Sequence, residues 1–76
     1  MNRFGAKLKV LRIQHGMSLR QLATELGLAT HSYLDRIERG ESSPSPELIL
    51  KIADYFGVSL EALMRDELDI NLGGNH

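Results

Sequence analysis

Apolar residues recur three and four positions apart along most of this chain, a period that predicts α-helix. Phe4, Leu8 and Leu11 share one face of a segment from about Arg3 to His15, with Ile13 near its edge. Leu22, Ala23 and Leu26 do the same over Leu19 to Leu26, and Leu34 and Ile37 over His31 to Arg39. Leu48, Ile49, Ile52, Ala53 and Phe56 form a buried stripe over Pro46 to Phe56, and a short helix follows from Leu60 to Met64. Gly16, Gly27, Gly40 and Gly57 follow the first four segments, where a left-handed residue ends a helix.

The helix starts are marked as clearly as the stops. Ser18 stands as N-cap with Gln21 three residues on, a capping box, and Met17 and Leu22 take the places of a hydrophobic staple. Thr30 caps the third helix, Ser45 the fourth with Pro46 at its first position, and Ser59 the fifth. The expected fold is all-α, a compact bundle of five short helices. One domain spans residues 1–65, and 66–76 form an acidic, Gly-rich tail. Leu68 and Ile70 alternate with charged residues, so part of that tail reads as a short strand or an extended arm.

The bulk numbers limit the function classes. A chain of 76 residues buries only about 60% of its unfolded surface. It has no cysteine, hence neither a disulfide nor a thiolate metal site. Stability therefore depends on well-capped helices or a partner subunit. No apolar run approaches a membrane span or a signal-peptide core, so a cytoplasmic protein is the default. The three histidines show no ligand spacing, and no phosphate loop or nucleophile elbow appears. No enzyme, metal or cofactor is expected.

Net charge is only -1, yet it is unevenly spread. Met1 to Arg39 holds seven bases and three acids, and Gly40 to His76 two bases and seven acids. Such asymmetry suits a polyanion at one end.

Helices two and three are joined by the tight turn Gly27-Leu28-Ala29-Thr30, the spacing of a helix-turn-helix unit. In that unit the second helix lies in the DNA major groove. The third segment has the residues for it. Leu34 and Ile37 anchor, while His31, Ser32, Asp35 and Arg36 offer hydrogen-bonding groups. Arg36 suits guanine O6 and N7, His31 a purine N7, Asp35 the cytosine amino group, and Ser32 either donor or acceptor. Phosphate contacts are expected from Ser18, Arg20, Thr30, Arg39, Ser42 and Ser43. Plainer roles stand beside these. A polar helix face is often just solvated, Tyr33 suits either a base stack or the core rim, and Arg39 suits a helix C-terminus.

The stretch GMSLRQLATELGLATHSYLDRIERGESSPSPELILKIADYFGVSLEALM resembles the Cro- and phage-repressor-type helix-turn-helix proteins, the xenobiotic-response-element family. RIERG at Arg36 to Gly40, the later Pro44 and FGVSLEALM at Phe56 to Met64 carry the resemblance, which covers about Phe4 to Met64. It implies a lambda-repressor-like five-helix fold, binding to double-stranded DNA as a homodimer on an inverted-repeat operator, and a repressor's role at the nucleoid. The family's base-reading places fall on His31, Ser32 and Arg36, with Tyr33 and Asp35 as neighbours. Its internal ion pair falls on Arg12 and Glu38. Leu19 stands where the family commonly has glutamine, and the turn is one residue longer than the family's usual form. Leu63, Leu68 and Ile70 are expected to form a dimer contact. A competing reading is an antitoxin-like module that binds a toxin or other protein partner through its C-terminal part.

Overall fold

A computed structural model describes residues 3–66. Five helices follow in order: α1 (Phe4–Gln14), α2 (Leu19–Glu25), α3 (Ser32–Glu38), α4 (Pro46–Phe56) and α5 (Leu60–Met64). There is no strand among the described residues. The expected C-terminal strand or arm, with Leu68 and Ile70, lies outside them.

Local chemistry accounts for the helix ends. The Ser18 hydroxyl accepts from Gln21 N at 3.0 Å, and Gln21 Oε1 accepts from Ser18 N at 2.8 Å. Both halves of the capping box are therefore made. Ser45 Oγ accepts from Leu48 N at 3.2 Å and Ser59 Oγ from Ala62 N at 3.0 Å. Replacing Ser18 with alanine is expected to lower stability by about 1 kcal/mol, read as a shift in urea midpoint with unchanged slope.

The buried stripes meet in one core. Phe4, Leu8, Leu11, Leu22, Leu34, Ile37, Ile52 and Leu63 are its largest fully enclosed side chains. α1 packs on α3 and α5, α4 on α5, and α2 on α3. Phe56 departs from the expected stripe. It is half-buried at the core edge, where the His15 ring meets it edge-on at 4.8 Å and the Tyr55 ring at 5.1 Å.

Leu63 also departs from expectation. Its expected place is a contact with a second chain, but α5 lies against α1 and α4, and Leu63 has 0% exposed surface. It fills this chain's own core and is closed to a partner. Leu60 and Met64, one turn apart on the same helix, are instead exposed.

Lys7 lies in the same region and is 3% exposed. Its Nζ donates to the carbonyls of Ala62 and Arg65 at the end of α5. A buried ammonium needs such acceptors, and a helix C-terminus presents them with the favourable end of its dipole. Lys7 thus docks α5 onto α1. The final described residue, Asp66, is tied back as well. Arg3 N donates to its carboxylate at 2.9 Å and Arg3 Nη1 to its carbonyl at 2.6 Å.

Candidate nucleic-acid interface

The connection between α2 and α3 is built from backbone hydrogen bonds. Leu28 N donates to Ala23 O at 2.8 Å and Gly27 N to Thr24 O at 3.1 Å. This closure requires Gly27 at a φ of +75°, where a side chain would be strained. Lys51 Nζ donates to Leu26 O at 3.3 Å, the carbonyl at the end of α2. Leu28 then turns onto the core, half-buried. At the start of α3 the expected cap is displaced by one position. His31 occupies the N-cap place without a side-chain cap bond, while Thr30 Oγ1 accepts from Ser32 N at 2.9 Å.

Leu34 and Ile37 are 0% and 2% exposed and fix α3 to the core. Ser32 and Arg36 stand exposed, and His31, Tyr33 and Asp35 are half-buried. The far end of α3 is closed by Glu41 N on Arg36 O at 2.8 Å and Gly40 N on Ile37 O at 3.0 Å. The loop after it is then tied to the helix face. The Tyr33 hydroxyl donates to Ser43 O at 2.8 Å, and Arg36 Nε donates to Ser42 Oγ at 3.3 Å. The Arg36 guanidinium carbon lies 6.0 Å from the Tyr33 ring centroid, near the limit of a cation–π contact. Because Ser42 takes Nε, both terminal amino groups keep their geometry for an end-on, bidentate acceptor. Tyr33 braces the loop that positions Arg36, a role sequence reading did not supply.

Beneath α3 lies a forked ion pair. Arg12 Nε donates to Glu38 Oε2 at 2.8 Å and Nη2 to Oε1 at 3.1 Å, and Nη1 reaches Met17 O at 2.9 Å. The two side chains are 13% and 6% exposed. Hydrogen bonding to Glu38 raises the Arg12 pKa above its ordinary value; burial opposes this, and the charges of Glu38 and Asp35 add to it. The pair joins α1, the α1–α2 turn and α3, so it sets where the outer face of α3 stands.

Other charges are differently placed than the sequence suggested. Of the seven N-terminal bases, Lys7 is inside the core and Arg12 is held by Glu38, while Arg3 bonds Asp66. Arg39 Nη2 lies 3.3 Å from Asp35 Oδ2, and its Nη1 lies 4.0 Å from Glu41 Oε2. The basic excess read from the sequence is largely consumed inside the protein. Lys9, Arg20 and Arg36 remain as exposed cations beside Arg39. Of the other phosphate candidates, Ser18, Thr30 and Ser43 are exposed and Ser42 is half-buried. The capping box occupies Ser18 N and Gln21 N, which leaves the N–H groups of Leu19 and Arg20 at the start of α2.

Gly5 was also not singled out from sequence. It is buried in α1, and a Cβ there would lie 2.3 Å from Ile37 O and 3.0 Å from Glu38 O. Only glycine lets α1 approach the end of α3 so closely. A glycine inside a helical pattern, rather than after its end, is the signal that marks such a contact.

The model of the helix-turn-helix family matches residues 8–63. The chain belongs to the helix-turn-helix family of transcriptional regulators. It is 38% identical over 63 residues to an uncharacterised helix-turn-helix-type transcriptional regulator of Methanocaldococcus jannaschii, covering 83% of this chain and 94% of that protein. It is 30% identical over 63 residues to the cryptic phage CTXphi transcriptional repressor RstR of Vibrio cholerae, covering 83% of this chain and 56% of the repressor. The N-terminal DNA-binding domain of SinR from Bacillus subtilis superposes with a TM-score of 0.78 at 32% identity, over 88% of this chain and 97% of that one. Three further relatives are much longer, and the chain spans 16%, 17% and 14% of their lengths. Family membership makes this helix-turn-helix chain a DNA-binding regulator and not an enzyme. Among the described residues no helix is long and apolar enough to cross a membrane.

Proposed function

We propose that this protein represses transcription by binding an inverted-repeat operator in double-stranded DNA as a homodimer, with α3 of each copy in the major groove. The observation that carries this reading is the build of α3. Its inner residues are locked in the core, both its ends are closed by hydrogen bonds, and Ser32 and Arg36 are exposed. A reader must hold its donors in place before DNA arrives, because ordering them during binding costs affinity.

Arg36 takes guanine O6 and N7 through its terminal amino groups, with Ser32 and His31 contacting neighbouring base edges and Asp35 accepting from a cytosine amino group. Tyr33 positions Arg36 through the loop rather than stacking on a base. Ser18, Arg20, Thr30, Arg39, Ser42 and Ser43 contact phosphate and set the register. With so few uncommitted cations, non-specific affinity is modest and two half-sites are needed for tight binding. Repression follows the likeness to the phage repressor. Acting on DNA, the protein works in the cytoplasm at the nucleoid.

The dimer contact is proposed on α5, through Leu60 and Met64, exposed by 39% and 43%, together with Leu68 and Ile70 beyond the described residues. Half-site centres are then about 34 Å apart, one DNA turn, or a multiple of it. Sedimentation with a duplex selected from a random pool tests this. Two chains per duplex are expected, and cutting the duplex to one half-site should remove most of the affinity. One chain per duplex, with half-site affinity unchanged, would reject the homodimer. The antitoxin-like reading predicts instead that a stoichiometric protein partner co-purifies with the chain.

Arg36 and Arg20 should separate in kind. Arg36→Ala is expected to cost about 1–3 kcal/mol on the selected duplex and to relax the preference at one base pair per half-site. Arg20→Ala should weaken all duplexes alike and flatten the salt dependence by about one unit of slope per chain. Competition titrations against single-base-pair variants at several salt concentrations measure both.

A further inference from the structure

Arg39 is the cation at the end of α3 that also has two acids beside it. It sits at the edge of the proposed reading face with its side chain 63% exposed, so it is open to phosphate. Yet Asp35 lies one turn before it, at 3.3 Å, and Glu41 lies two residues after it, at 4.0 Å. These two acids come from different places. Asp35 belongs to the helix and Glu41 to the loop that follows it. The helix closure places Glu41, because its N–H is the one bonded to Arg36 O.

That placement is unlike the ends of α1, α2 and α4. At the equivalent positions after α1, α2 and α4, Met17, Leu28 and Val58 donate to Arg12 O, Ala23 O and Ala53 O and pack on the core. An apolar residue is the usual companion of this closure. Glu41 gives up that contact and brings a second carboxylate to Arg39.

We infer that Asp35 and Glu41 are specificity-determining residues that neutralise Arg39 in the free protein, withholding it from the phosphates of non-cognate DNA. This inference deepens the proposed DNA reading and rests on it. Each exposed pair is weak and gives way to a better partner. On a cognate site Asp35 exchanges Arg39 for a cytosine amino group. The guanidinium is then released to the phosphate next to it. On non-cognate DNA no such acceptor-for-donor exchange is offered, and Arg39 stays with its two carboxylates. Affinity is thus withheld mainly where the sequence is wrong, which widens the ratio between cognate and non-cognate binding. The device suits a chain whose remaining cations are few, because each uncommitted one adds sequence-independent affinity.

The test compares wild type, Glu41→Gln, Asp35→Asn and Arg39→Gln, and each acid variant combined with Arg39→Gln. Binding to a mixed-sequence duplex and to the pool-selected duplex is measured from 50 to 200 mM NaCl, ranges over which phosphate contacts are resolved by roughly 0.9 in slope each. Glu41→Gln is expected to strengthen mixed-duplex binding about threefold or more, to steepen its salt slope by up to about 0.9, and to strengthen selected-duplex binding less. The gain should vanish when Arg39→Gln is added, as a pairwise coupling requires. Equal gains with and without Arg39, equal gains on both duplexes, or no gain would each overturn the inference while leaving DNA reading intact. Failure of every variant to bind either duplex at the lowest salt would reject the DNA reading itself, and the inference with it. Glu41 is exposed and outside the helix, so its variant keeps the test valid if Asp35→Asn loosens α3.

Discussion

Replacing Gly5 with alanine is expected to destabilise the protein by about 2–3 kcal/mol, although alanine is the better helix former by about 1 kcal/mol. The added methyl would lie 2.3 Å from Ile37 O, 3.0 Å from Glu38 O and 3.1 Å from Glu38 Cα. All three are backbone atoms of α3, so no side chain can rotate to make room. Either α1 withdraws and opens the core around Phe4 and Leu8, or α3 shifts and Arg12 loses its hold on Glu38. The first outcome lowers the denaturation midpoint. The second also moves Arg36 and weakens DNA binding. A denaturant titration reads the first and a binding titration the second. An unchanged or raised midpoint would mean that the α1–α3 approach is looser than described.

The forked pair of Arg12 and Glu38 should show an effect of similar size. Glu38→Ala leaves a guanidinium that is 13% exposed without its carboxylate, and removing one partner of such a pair costs about 3 kcal/mol. The remaining acceptor, Met17 O, satisfies a single N–H. Replacing both residues by apolar ones, Arg12→Met with Glu38→Leu, should recover most of the loss, because it removes the stranded charge along with its partner. A double variant as unstable as Glu38→Ala would show that the pair stabilises beyond mutual neutralisation. The pH behaviour has a definite sign. Arg12 has its pKa raised in the folded state, so its contribution is complete below the unfolded value and is lost only in strong alkali. Stability through the neutral range should therefore not vary on account of Arg12.

The helix pattern was legible because its signals are local. Ser18 with Gln21, Ser45 with Pro46, and the glycines after the first four helices each act within a few residues, so sequence spacing alone places them. The same holds for the outer face of α3, where Leu34 and Ile37 fix which side is hidden. What spacing cannot show is what meets across the core. Leu63 looked available for a second chain because the sequence shows little core for it to fill, whereas α1 and α4 enclose it. Lys7 counted as a surface base until α5 brought two carbonyls to it. The charge count misled for the same reason, since Arg3, Lys7 and Arg12 each find a partner far along the chain. Gly5 was legible in principle as a glycine within the first helical pattern, but its reason lies 32 residues away at Ile37.

The proposed function stands on the outer face of α3 reading base pairs. Selecting duplexes from a random DNA pool with wild type and with Arg36→Ala, side by side at physiological salt, tests it most directly. An inverted repeat is expected from the wild type, and from Arg36→Ala the same repeat with one guanine per half-site no longer preferred. An identical motif from both proteins, or enrichment of no sequence by the wild type, would contradict it.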